Sequence, residues 1–313
     1  MLLSKQLYTS HAMLESLLPL YTYRRMVLRL AYNWLRGRES LVQRLNRRNF
    51  DRFIQCRKSR LTCNVCEAVG EPFFDFPDLE LRRDHQIGEL RETIQCNCCG
   101  STMRHRTLVS AFLSALNART GQEFISIKAV KKQGLGNLRV LDTDAFSPTA
   151  KRLKELPGYT VSSFRPELPM GSALGPNHIN INLEKIDFHD AAFDFVLTSD
   201  VMEHVRDIDA AHREIARLLR PKGVYVFTIP YDPKCVTHHV LVETSGPEDR
   251  FLVPPQYHGD PITGGVLAYR VFGRAIFSDL ANVDLSARYF EIEDPEALIY
   301  GGDVFVATKE MAP

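Results

Sequence analysis

Residues Phe193–Pro230 read FDFVLTSDVMEHVRDIDAAHREIARLLRPKGVYVFTIP, and the architecture of the chain follows from the order of elements in them. Phe193–Thr198 is a near-continuous apolar run, the pattern of a parallel strand covered on both faces. Ser199, Asp200 and Glu203 come next, at the carboxyl end of that strand, where open α/β sheets place their ligand sites. From Ile208 onward, Ile208, Ala211, Ile215, Leu218 and Leu219 recur at helical spacing. Pro221 and Gly223 are expected to stop the helix, and Val224–Ile229 to form the next buried strand.

The same alternation extends outward on both sides. Leu138–Leu141 reads as a strand, Pro148–Leu156 as a helix, and Tyr159–Val161 and His178–Ile181 as further strands. Downstream, Phe272–Leu280 reads as a helix. Arg288–Ile292 and Val304–Thr308 read as strands separated by a Gly301-Gly302 turn, a terminal antiparallel hairpin. Residues 232–271, rich in Pro, His and Gly, form a long insertion after the fifth strand, of the kind that often serves as a functional lid. Upstream, Leu108, Phe112, Leu113 and Leu116 mark a helix beginning near Ser101. The fold class expected is therefore α/β.

At 313 residues the chain can bury a sizeable core, and its 44% hydrophobic and 25% charged content excludes wholesale disorder. The net charge of +1 hides an asymmetry: residues 1–62 hold 13 Lys/Arg against Glu15, Glu39 and Asp51. The remainder is net acidic, against a nucleic-acid footprint spread over the whole molecule. Within residues 1–60, Val27, Leu30, Ala31, Trp34 and Leu35 form an apolar stripe flanked by Arg24, Arg25, Arg29, Arg36 and Arg38. Such a basic helical arm could lie on an anionic membrane surface, contact RNA, or present a solvated face. No secretory signal and no run long enough to span a bilayer is visible, so the expected location is cytoplasmic, with peripheral contact at the inner membrane surface through the arm.

Six of the seven cysteines fall between Cys56 and Cys99. Cys63-x-x-Cys66 and Cys96-x-x-Cys99 are two knuckles able to place four thiolates about a structural Zn²⁺, with Cys98 a bystander; unliganded buried cysteines are the alternative. The expected organisation is a basic arm over 1–60, a zinc ribbon over 61–106 and an α/β domain over 107–313 that contains the 232–271 insertion.

The strand, acidic loop, EHV, helix and RPKG turn together resemble the C-terminal half of an S-adenosylmethionine (SAM)-dependent methyltransferase domain of the class I, Rossmann-like type. Cys96–Arg106, CNCCGSTMRHR, is similar to the C-x-x-C-G-S-x-x-R-H-R signature of a group of bacterial, methyltransferase type 11-like enzymes with an N-terminal four-cysteine zinc ribbon. Tyr257-His-Gly-Asp-Pro261, with Tyr269 and Phe272-Gly273, resembles a further segment of that group, many of whose members accompany glycan genes. The resemblance implies a seven-stranded Rossmann-like methyltransferase sheet with a terminal hairpin, SAM as cofactor and structural Zn²⁺ on Cys63, Cys66, Cys96 and Cys99.

The resemblance also maps a cofactor pocket. Asp142, Thr143 and Asp144 follow the first strand, where a glycine-rich turn is usual and none is present. Ser163 stands where an acid would hold both ribose hydroxyls, Asn182 and Leu183 lie beside adenine, and Ser199-Asp200 faces the methionine end. Arg104, His105 and Arg106 sit on a helix's first turn against its dipole, so acids of the ribbon or a ligand carboxylate are expected as partners, a solvated turn being the alternative.

For chemistry, a His258–Asp260 pair in the lid and His204 at the pocket mouth are candidate proton acceptors, against the plainer readings of a turn and a packed helix cap. The expected activity is O-methylation of a sugar, glycan or related small molecule. An RNA methyltransferase gripping nucleic acid with ribbon and arm, and a non-catalytic scaffold with a degenerate pocket, are the alternatives.

Overall fold

The computed structural model describes residues 61–70, 73–75, 90–259 and 265–310. The basic arm over 1–60 and the lid residue Asp260 lie outside them. The described residues fall into two compact units, one drawn from 61–103 with 294–300 and the other from 104–293 with 301–310.

In the first unit, Leu61–Thr62 pairs antiparallel with Val69–Gly70, and Phe73–Asp75 with Ile94–Cys96. Each of the two pairings brackets or borders a cysteine knuckle. Residue Glu67 (φ 61°) follows the first knuckle and Gly100 (φ 72°) the second. The Glu67 N–H donates to the carbonyl of Cys63, and the Gly100 N–H to that of Cys96, both at 2.8 Å. Both loops therefore close by the same left-handed turn, the conformation for which glycine carries no Cβ penalty.

The second unit is built on a mixed sheet with helices α1 (Met103–Thr120), α2 (Ile127–Gln133), α3 (Pro148–Leu153), α4 (Ile208–Leu218) and α5 (Ile276–Ala281). Its strands are β1 (Val140–Asp142), β2 (Tyr159–Ser163), β3 (Ala173–Gly175), β4 (His178–Asn180), β5 (Phe193–Ser199), β6 (Leu219–Thr228), β7 (Leu285–Asp294) and β8 (Ile299–Lys309), in the spatial order β7-β8-β6-β5-β1-β2-β4-β3. Strands β4, β2, β1, β5 and β6 run parallel, β8 is antiparallel to β6, and β3 antiparallel to β4. The chain winds outward from β1 through β2 to β4, then returns to β5 on the other side of β1. That reversal opens a crevice at the carboxyl ends of β1 and β5. The fold is the expected Rossmann-like sheet with a terminal hairpin, extended by the short edge strand β3.

All seven residues of β5 are buried; Phe193 and Val196 join the core shared with α4 and α5, and Phe195 meets Phe112 of α1 edge to face at 5.4 Å. Asp194 is the exception in chemistry. Its carboxylate accepts from the Arg139 N–H at 2.9 Å and from Arg220 at 2.8 Å, so the buried charge is compensated on both sides.

Three boundaries differ from the sequence expectation. Strand β6 begins at Leu219, opposite Phe193, and the Arg220–Gly223 stretch is a bulge inside it rather than a linker before it. A Cβ on Gly223 would meet the Arg220 carbonyl oxygen at 2.7 Å, so only glycine fits that bulge. Gly301 and Gly302 lie within β8, and the hairpin turns instead at residues 295–298. The helix expected over Phe272–Leu280 is confined to α5, because Phe272 and Gly273 are hydrogen-bonded into the insertion side of the chain.

The insertion is not a loose loop. His239–Val240 pairs with Arg270–Val271, Val242–Glu243 with Arg250–Phe251, and Tyr257–His258 with Val266–Leu267.

Asp194→Ala would leave the Arg139 amide and the Arg220 guanidinium without their buried acceptor. The expected loss is about 2–3 kcal/mol of unfolding free energy in urea denaturation, with Asp194→Asn intermediate.

Candidate active site

Strands β1 and β5 end side by side, and their terminal loops are tied together: the Thr143 N–H donates to the Leu197 carbonyl at 3.0 Å. Three carboxylates then crowd this edge. Asp142 is buried; it accepts from the Tyr159 hydroxyl at 2.6 Å and from the Asp144 N–H at 2.9 Å. Burial, reinforced by the charge of Asp144, pushes its pKa up to about 7 in spite of those hydrogen bonds. Burial acts on Asp144 in the same sense, but the hydrogen bond and charge of His105, with the charge of Arg104, outweigh it and hold Asp144 below its ordinary value. Asp200 adopts a left-handed backbone (φ 50°) and accepts from the Thr228 hydroxyl at 2.8 Å.

The cations that answer these acids come from the first turn of α1. Arg104 pairs with Asp200 at 3.4 Å and donates to the Ser199 hydroxyl and, at 3.3 Å, to the Ser199 carbonyl. His105 lies 3.6 Å from Asp144, and Arg106 is wholly buried. Arg104 and His105, placed against their helix dipole, thus find partners in the strand-end loops of their own sheet rather than in a solvated turn.

Along β2 and β4 the pocket positions are already engaged. The Ser163 hydroxyl lies 2.9 Å from His178 Nε2. Burial first, then the charges of Lys154 and Arg165, lowers the His178 pKa and keeps that ring neutral at pH 7. Asn182 spends its side-chain oxygen on the Glu184 N–H at 2.9 Å, an Asx turn that places Leu183 among the buried residues. Two residues before it, Asn180 is fully buried and binds the Arg165 N–H and the carbonyls of Arg165, Leu168 and Pro169, shaping the loop after β2. His178 and Asn180 have no mark in the sequence that sets them apart; only the β2–β4 register brings them to the pocket edge.

Beyond β5, the 3₁₀ turn Met202–His204 carries the second cluster. Glu203 is fully buried, and among the described residues neither carboxylate oxygen has a hydrogen-bond partner. His204 Nε2 and His258 Nδ1 both lie 3.6 Å from Glu203 Oε1, and the two rings meet edge to face at 4.9 Å. His258 comes from the insertion, far along the chain, so the two histidines picked from the sequence converge in space, with Glu203 between them. Arg270 holds this convergence in place. It is buried, and its guanidinium donates to the carbonyls of Val205 at 2.6 Å and Arg206 at 3.0 Å. The Tyr269 N–H donates to the Glu203 carbonyl at 2.8 Å, and Arg206 pairs with Asp249 at 2.7 Å. The insertion is thereby a fixed wall of the site.

In the first unit, Cys63, Cys66, Cys96 and Cys99 bring their sulfurs within 4.8 Å of one another, with Cys63–Cys99 and Cys66–Cys96 each at 3.7 Å. Four thiolates about 2.3 Å from a central zinc would be separated by about 3.8 Å, so the spacing matches a tetrahedral site. Hydrogen bonds from Cys66, Cys96 and Cys99 drive the Cys63 thiol far down, while the bonds to Cys63 and Cys66 drive Cys96 up. Cys98 is exposed and stands apart from the cluster.

Residues 129–227 match the family model for a methyltransferase domain. No curated protein matches the chain. Among solved structures, a SAM-bound amino pentose methyltransferase of calicheamicin biosynthesis (CalS10) from Micromonospora echinaspora is 15% identical, covering 67% of this chain and 92% of its own, at a TM-score of 0.42. A 1,6-didemethyltoxoflavin-N1-methyltransferase from Burkholderia thailandensis is 19% identical, covering 65% of this chain and 81% of its own, at 0.33. A complex of the Haloferax volcanii Trm112 methyltransferase activator with a methyltransferase is 13% identical over 65% and 96%, at 0.37.

Two outcomes are expected. The folded Asp142 carboxyl keeps its proton up to about pH 7, whereas an unfolded Asp releases it near pH ~4. The folded state therefore binds the extra proton between these values, so this group's contribution is greatest below about pH 4 and is lost as pH rises through about 7. Asp142→Asn should flatten that decline, gaining Tm relative to wild type between about pH 5 and 8 in thermal melts without added cofactor. Separately, Cys66→Ser should lose stoichiometric zinc in elemental analysis, while Cys98→Ser retains it.

Proposed function

We propose that the chain, whose residues 129–227 match a methyltransferase-domain model, is a SAM-dependent methyltransferase that transfers a methyl group to a hydroxyl of a sugar or related small molecule. The observation that carries the cofactor half of this reading is the charged cup at the β1/β5 crevice. The amino-acid end of SAM is a zwitterion; it needs anions for its ammonium and a cation for its carboxylate. Asp144 and Asp200 supply the first, with Asp142 behind them shaping the β1 loop, and Arg104, hydrogen-bonded to Ser199 in the same crevice, supplies the second. Thr143 braces the β1 loop, and Ser163 with the neutral His178 offers hydroxyl and imidazole groups toward the ribose edge. Asn182 and Leu183 line the adenine side. The donor group itself would supply an electrophilic methyl carbon on a sulfonium.

The residues of the chain then play three parts. The crevice aligns the methyl with the acceptor, which is most of what an in-line displacement requires. The insertion wall, stapled by Arg270, excludes water from that line. The cluster of Glu203, His204 and His258 accepts the proton that the hydroxyl must lose as its oxygen bonds to carbon and the carbon–sulfur bond breaks. Asp260 is the partner of His258 expected from the sequence; among the described residues Glu203 faces that ring. Exposed aromatic faces on the insertion, Tyr257 and Phe251, offer stacking surfaces to the apolar side of a sugar ring.

Structural Zn²⁺ on the four cysteines, and peripheral membrane contact through the arm, belong to the same proposal. Among the described residues no helix is long and apolar enough to cross a membrane. A second reading, a scaffold that has lost its cofactor, draws on the engaged Ser163 and Asn182 and on the turn without glycine.

Calorimetry with SAM separates the two. Saturable binding that weakens about 10- to 100-fold in Arg104→Ala is expected, the range of a charge-assisted hydrogen bond. No heat and no thermal shift at millimolar SAM would leave only the scaffold.

A further inference from the structure

The turn after β5 contains a feature that proton acceptance alone does not account for. Glu203 buries a carboxylate completely, with no hydrogen-bond partner on either oxygen among the described residues. A buried charge in that condition is strongly disfavoured unless a cation compensates it. The two imidazole nitrogens beside it, His204 Nε2 and His258 Nδ1, stand at 3.6 Å, too far to donate a hydrogen bond.

The tautomer of His204 sharpens the point. Its Nδ1 lies 2.8 Å from the Leu267 carbonyl oxygen. A carbonyl only accepts, so Nδ1 carries the proton, and in the neutral ring Nε2 carries a lone pair. That nitrogen lies 3.6 Å from the carboxylate. Two acceptors this close repel, and an ion between them converts the repulsion into coordination. A ring whose far nitrogen donates to a backbone carbonyl is also the usual arrangement of a metal-bound histidine.

The geometry points to a divalent metal site formed by Glu203, His204 and His258. The three ligand atoms all lie within 4.8 Å of one another. Ligands about 2.1 Å from a shared ion are separated by about 3.0–3.5 Å, so each histidine need approach Glu203 by only a few tenths of an ångström from 3.6 Å, while the two imidazole nitrogens, within 4.8 Å of each other, close by up to about 1–2 Å. One carboxylate and two imidazoles select a first-row transition ion such as Zn²⁺ or Mn²⁺ over Mg²⁺ or Ca²⁺, which prefer all-oxygen shells. Three protein ligands leave positions open, and the half-exposed His258 side chain marks the side from which a ligand enters.

The ion's role rests on the methyl-transfer reading; its binding does not. With the ion bound, the three side chains would serve as ligands in place of the proton acceptor described above, and an acceptor hydroxyl on an open position would be acidified, its proton leaving to solvent on the half-exposed His258 side. Its oxygen forms the new bond to the methyl carbon, and the electrons of the breaking carbon–sulfur bond return to sulfur as a neutral thioether. Arg270 and the Leu267 carbonyl act as positioning groups, holding the turn and the ring.

The test uses the full chain with zinc already in its ribbon, titrated with Co²⁺ in the absence of SAM. Expected are weak visible ligand-field bands of nitrogen- and oxygen-bound Co²⁺, without the intense thiolate charge-transfer bands of ribbon exchange, saturating at a single ion per chain. The bands should vanish in Glu203→Gln and in His258→Ala; His258 is half-exposed, and an unchanged Tm verifies that its variant is folded. Absent bands in the wild type, or bands unchanged in both variants, overturn the site. SAM calorimetry on the same samples keeps the two readings apart. SAM binding without Co²⁺ binding removes the metal site alone, and Co²⁺ binding without SAM binding removes the methyl-transfer reading while the site stands.

Discussion

Everything at the active edge depends on strand β5 being hydrogen-bonded between β1 on one side and β6 on the other. A parallel strand in that position must be buried on both faces, so its polar chemistry is displaced to its end. Ser199, Asp200 and Glu203 are where the apolar run stops. The return of the chain across β1 to reach β5 leaves the crevice into which the first two of these project.

Concentrating carboxylates in one crevice has an electrostatic cost, and the structure offsets it with cations brought from elsewhere in the sequence. Arg104 and His105 meet Asp200 and Asp144 from the start of α1. Asp142, which receives no cation, is the group whose proton affinity rises. Arg270 serves another purpose. Among the described residues it pairs with no carboxylate and instead donates to the carbonyls of the turn at 202–206. The turn's own carboxylate, Glu203, is left facing two imidazoles. Charge at the ends of these strands is therefore answered by groups remote in the sequence.

Much of this was legible in the chain. Burial on both faces gives an apolar run, and a helix on one face of the sheet gives the spacing of Ile208, Ala211, Ile215 and Leu218; both are local patterns. The paired cysteine knuckles were equally local. Boundaries were less legible, because Leu219 serves the helix pattern and the strand at once and the RPKG bulge imitates a linker. The insertion read as irregular because its three ladders are only two residues deep, too short for any alternation to show. Glu203 was visible as an acid beside a histidine, yet its burial and its missing partners have no sequence signature.

The parallel sheet, the helices that cover it, the cysteine knuckles and the strand ends that carry the acids are written into the chain itself. They depend on periodicity and on neighbours within a few residues. Which groups meet is a property of the folded chain alone, and it unites Arg104 with Asp200, Ser163 with His178, and His258 with Glu203 and His204. Most of these pairings join residues tens of positions apart. They are settled by strand order and register, which no local pattern encodes.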